Sequence, residues 1–89
     1  MGRAAQQKPA RLADKLLSIR KRLKLSQNGL IRFLGFENEL TQAEISAFER
    51  GVRIPSLIIL LRYARRLGIS VEMLIDDDLE IPAIIKKKH

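Results

Sequence analysis

The run TQAE at residues 41–44 offers the most specific chemistry in the chain. Threonine followed three residues later by glutamate is the pattern of a capping box. The hydroxyl accepts from one free helix amide, and the carboxylate reaches back to another. The run therefore predicts a helix start at Thr41, with Glu44 as its cap partner. Three more glutamates lie close by, Glu37, Glu39 and Glu49, in a chain whose formal charge is +7. Residues 1–35 sum to +8, residues 36–51 to −3, residues 52–75 to +3 and residues 76–89 to −1. An acidic centre set in a basic chain is either a solvated surface or part of an electrostatic footprint for a polyanion.

Other chemistries have little material. There is no cysteine, and the single histidine is His89. Disulfide frameworks, thiolate metal sites and histidine-based catalysis are thereby disfavoured. A chain of 89 residues suits one domain with a small core. The longest apolar run, LIILL at 57–61, is too short to span a bilayer, and the N-terminus carries no secretory pattern. The expectation is a cytoplasmic, cofactor-free, non-enzymatic protein.

The elements that must position the central run follow from periodicity. Leu12, Leu16, Ile19 and Leu23 make one helical stripe. Ser26 is a cap for a second helix from Gln27 to about Leu34, with Leu30 and Leu34 inward and Gly35 at its end. The third helix turns Ile45 and Phe48 inward and stops at Gly51. Gln42, Ala43, Ala47 and Arg50 are expected away from that inner face. Pro55 and Ser56 open a fourth helix, whose expected stripe is Leu57, Leu60, Leu61, Ala64 and Leu67. Ile58, Ile59 and Tyr63 fall partly off it, as core fringe or a dimer patch. Ser70 caps a short fifth helix. The fold class is all-α, a compact bundle of five helices. The organisation is a flexible basic arm at 1–9, a domain at 10–75 and a charged, apolar tail at 76–89. That tail reads as an exchanging strand, a clip on the domain, disorder, or a seat for a protein partner. Arg3, Lys8 and Arg11 read as an arm that tracks a nucleic-acid backbone, or as disorder.

From about Leu12 to Ile75 the chain resembles the Cro/repressor-type helix-turn-helix domain. The residues that carry the resemblance are IRKRLKLSQ (19–27), LG (34–35), TQAEISAFERG (41–51), RIPS (53–56) and YARRLGISVEML (63–74). FENE (36–39) departs from it, as an enlarged turn between helices 2 and 3. Ile31 is a second departure, where the family often has alanine. The resemblance implies a lambda-repressor-like bundle that binds double-stranded DNA as a transcriptional regulator, most simply a repressor and a homodimer on DNA.

It further implies that helix 3 enters the major groove. Gln42 would then pair with adenine, and Ala43 and Ala47 would allow close approach and meet thymine methyls. Gln27 would hold a phosphate, with Asn28, Thr41, Arg50 and Arg53 in the same backbone-contacting set. Glu49 would pair with Arg20 in a structural role. Glu44 caps the helix or accepts from cytosine N4. Phe36 covers the turn or meets a partner, and Val71 is a dimer candidate. The alternative function is an antitoxin-like adaptor that binds a protein and also regulates its own promoter.

Overall fold

The computed structural model describes residues 9–82. The basic residues Arg3 and Lys8 lie outside that range. The elements are α1 (Leu12–Leu23), α2 (Gln27–Leu34), α3 (Gln42–Glu49), α4 (Leu57–Leu67) and α5 (Val71–Ile75). No strand occurs among the described residues.

Each helix start has an identifiable cause. The Ser26, Ser56 and Ser70 hydroxyls accept from the amides of Gly29, Ile59 and Met73. Each thereby satisfies an amide that has no partner within its own helix. Gly35 ends α2 in the left-handed region, at φ 80°. That conformation favours glycine, and a Cβ there would also crowd the Arg62 guanidinium at 3.0 Å.

The core gathers one face of every helix. Leu12, Leu16, Ile19 and Leu23 of α1 are buried in one cluster with Leu30 and Leu34 of α2, Ile45 and Phe48 of α3, and Leu74 of α5. Helix α4 departs from the expected stripe. Its buried residues are Leu60, Tyr63, Ala64 and Leu67, while Leu57 is 69% exposed. The apolar run at 57–61 allows more than one helical phase. The phase adopted turns the Tyr63 ring fully inward and leaves the first turn of α4 beyond the edge of the core. Burial pushes the Tyr63 hydroxyl pKa up.

The enlarged turn is folded. The Phe36 carbonyl accepts from the amides of Glu39 and Leu40, both at 3.0 Å. Phe36 and Leu40 are buried, and Glu37, Asn38 and Glu39 are exposed. The Arg62 guanidinium lies 4.6 Å from the centre of the Phe36 ring and donates to the Leu34 carbonyl at 2.8 Å. This cation–π contact and hydrogen bond pin the turn to α4. Ile31 is buried as well, so its bulk is taken up within the α2–α3 packing.

The residues after α5 are a clip across α1. The Asp77 carboxylate accepts from the amides of Ala10 and Arg11, at 2.9 and 3.0 Å. The start of α1 has no side-chain cap of its own, and Asp77 supplies one from the far end of the domain. In return Lys15 Nζ donates to the carbonyls of Met73 and Asp76, both at 2.8 Å, at the end of α5. Lys15 is buried, Ile81 joins the core, and Arg22 donates to the Pro82 carbonyl. Arg11, expected in a mobile arm, is instead held by the Asp77 carbonyl and Glu80. The packed unit thus continues past Ile75 to at least Pro82.

Candidate nucleic-acid interface

Helix α3 begins with a complete capping box. Thr41 Oγ1 accepts from the Glu44 amide at 3.2 Å, and Glu44 Oε1 accepts from the Thr41 amide at 2.9 Å. The Thr41 hydroxyl also donates to Glu44 Oε1 at 3.3 Å, so any phosphate would compete with Glu44 for that proton. The other Glu44 oxygen lies 3.7 Å from Arg53. Glu44 therefore orders the start of α3 and steadies the segment that follows it.

A second network runs from α1 to the exposed start of α3. Arg20 Nε donates to Glu49 Oε2 at 2.8 Å, with side-chain exposures of 17% and 4%. That hydrogen bond raises the Arg20 pKa, with burial opposing it. Glu49 Oε1 accepts from Gln27 Nε2, and Gln27 Oε1 accepts from Gln42 Nε2, both at 3.2 Å. The chain of donors and acceptors fixes which way each amide faces. Gln42 spends one N–H on Gln27. Its carbonyl oxygen and its second N–H remain for another group. Gln27 is committed on both of its side-chain atoms, so further contact there falls to its remaining N–H and to the α2 amides.

The predicted site residues separate by placement. Gln42 and Ala43 are exposed on the first turn of α3, and Asn28 is exposed on the first turn of α2. Arg53 is 59% exposed at its side chain. Arg50 is exposed, with its Nε–H resting on Ser46 Oγ at 3.1 Å. Ala47 does not belong with them, because it is buried at 7% exposure. Its carbonyl accepts from the amides of Val52 and Arg53, at 2.9 and 3.3 Å. After Gly51 the chain turns back onto the end of α3 through these two bonds. Ala47, expected on the outward face of α3, is instead buried.

Ser46 was missed by the sequence reading. It is half-buried and shares the outward stripe of Gln42, Ala43 and Arg50. Its i+4 spacing from Gln42 was the available signal. A cleft of about 250 Å3 opens beside this stripe, between Asn28 and Arg32, the turn residues Glu37 and Leu40, and the start of α3.

Two successive helices, one with a serine cap and one with a capping box, joined by a turn and backed by three more, define a helix-turn-helix module of the Cro/repressor type. The helix-turn-helix family model matches residues 16–74, and the chain belongs to that family. It is accordingly a DNA-binding transcription regulator. Comparisons with curated proteins and with solved structures give no match. No helix among the described residues is long and apolar enough to cross a membrane.

Proposed function

We propose that the chain is a repressor that sets α3 into the major groove of duplex DNA, as one half of a two-fold pair, and acts by occupying its site without catalysis. The observation that carries the reading is the Gln42 amide. It stands exposed at the start of a capped helix, with one carbonyl oxygen and one N–H free. Adenine presents the complementary pair in the major groove: an N6 donor for the oxygen and an N7 acceptor for the N–H. Ala43 beside it is small enough to meet a thymine methyl. Ser46 and Arg50 continue the same stripe. Asn28, the α2 amides around Gln27, and Arg53 are the phosphate-facing set, with Thr41 at its margin. Arg20 and Glu49 act through Gln27 as positioning residues. The adaptor reading leaned on the apolar tail, but its residues 77–81 are engaged in clasping α1. That favours the DNA reading.

The test begins with sequences selected from a random duplex pool. Affinity for the selected site falls steeply with salt, because phosphate neutralisation releases counterions. Gln42→Ala costs about 1–3 kcal/mol and relaxes preference at one position. Glu37→Gln with Glu39→Gln leaves the preference intact. A silent Gln42→Ala, with preference lost in the turn variant, would transfer base reading from α3 to the turn.

A further inference from the structure

We infer that Arg32, absent from the expected site residues, is a further backbone contact, and that its guanidinium holds a phosphate one helical turn along α2 from the position assigned to Asn28. The inference rests on the DNA-binding reading above and extends its phosphate-facing set to the far end of α2, beside the enlarged turn.

Most arginines of the domain are already engaged within it. Arg11, Arg20, Arg22, Arg50, Arg53 and Arg62 each meet an oxygen of this chain. The Arg32 side chain is exposed and makes no hydrogen bond or ion pair among the described residues. Arg65 and Arg66 share that freedom, but they stand in the last turn of α4. Of the three, Arg32 is the one that borders the cleft beside Gln42.

The cleft has a consistent make-up. Its apolar residues, Ile31 and Leu40, are buried, while Asn28, Arg32, Glu37, Thr41 and Gln42 are exposed around it. The wall formed by the turn is held by the Phe36 carbonyl and by Arg62, so the opening is built into the fold. Glu37 is the carboxylate that shares the cleft with Arg32, and the two form no ion pair. The guanidinium is therefore left with its charge and its donors for a group from outside.

Placement makes that group a phosphate. Asn28 and Arg32 are four residues apart, so they share one face of α2 at a spacing of about 6 Å along its axis. In a helix-turn-helix pair the first helix crosses the DNA backbone. With Gln42 at a base edge, the α2 face beside it runs against one strand. Asn28 meets that strand at the first turn of α2, and the longer Arg32 side chain meets it one turn further on. The planar fork of arginine donors matches phosphate oxygens. A cation in the last turn of α2 also favours the helix dipole, but that preference does not select the side of the helix on which Arg32 stands.

The experiment follows affinity across a salt series, on a selected duplex and on one of unrelated sequence. Arg32→Gln should weaken binding to both alike. It should also reduce the steepness of log affinity against log salt by about 0.9, the share of one phosphate. Arg32→Lys should keep the wild-type slope, because a phosphate accepts a point charge as well as a fork. Arg65→Gln is the matched control. It removes the same charge from another exposed arginine in the last turn of a helix, and it should leave the slope unchanged. Thermal melts should not separate the two glutamine variants.

Equal changes of slope in Arg32→Gln and Arg65→Gln would reduce the effect to net charge and overturn the inference. A lower melt for Arg32→Gln with an unchanged slope would make Arg32 a partner of Glu37 that serves the fold, and would overturn it too. Preference lost at one base position in Arg32→Lys would transfer Arg32 from the backbone to a base edge. Each of these outcomes leaves the DNA-binding reading standing. A wild type that binds neither duplex removes that reading, and this inference with it.

Discussion

Helix α1 is tied to the rest of the domain at two places by the same pair of groups. Near its C-terminal end Arg20 meets Glu49, and at its start Arg11 meets Glu80; both contacts are 2.8 Å. Their surroundings differ. The first pair is 17% and 4% exposed, and the second is 41% and 76% exposed. Distance is thus the same while solvent access is not. Removing one partner inside leaves a charge that water cannot reach, whereas outside water replaces the lost partner. The inner tie also continues into Gln27 and Gln42, so it sets the direction of an exposed amide as well as holding two helices. The outer tie belongs to a clip whose buried anchors are Ile81 and Lys15.

Three measurements can break or sharpen this contrast. The largest effect is expected from Arg20→Ala, which leaves the Glu49 carboxylate buried without its guanidinium. Urea unfolding should show a loss of about 3 kcal/mol. A loss no greater than that of Arg11→Ala would mean that burial does not separate the two ties. Next is Ile81→Ala, expected to cost about 2 kcal/mol by removing the clip's apolar anchor. If its thermal melt matches wild type, the clip is not part of the cooperative unit.

The smallest effect is the pH dependence of the outer tie. The amides of Ala10 and Arg11 hold the Asp77 carboxyl below its usual range, and the hydrogen bond from Arg11 does the same for Glu80. Both folded values are lowered, so their contribution is complete above the ordinary carboxylate range and disappears as pH falls through the lowered values. Wild type should melt higher than Asp77→Asn with Glu80→Gln at neutral pH, and the gap should close in acid. A gap independent of pH would detach these carboxylates from the stability of the clip.

What the sequence disclosed depended on how far apart the partners lie. The α1 stripe, the serine caps and the Thr41–Glu44 box are set by residues three or four apart, and all were legible. The Arg20–Glu49 pair was legible through family resemblance, which supplies what spacing alone does not. Ala47 was expected outward and is buried; its carbonyl is bonded to residues after Gly51, which the periodicity of α3 does not reach. The face of α4 was misjudged because an unbroken apolar run has no polar residue to set its phase. The clip was left open because Asp77 stands within a run of three aspartates, any of which could be solvated. Only the positions of Ala10 and Arg11, 67 and 66 residues away, distinguish it.

That separation also has a cost in chain entropy. The Arg20–Glu49 contact closes 29 residues of chain, whereas the Ala10–Asp77 contact closes 67. A longer loop costs more to close, so for contacts of equal strength the shorter one closes more readily. The network that orients the Gln42 amide therefore depends on less of the chain than the clip that holds the residues before α1.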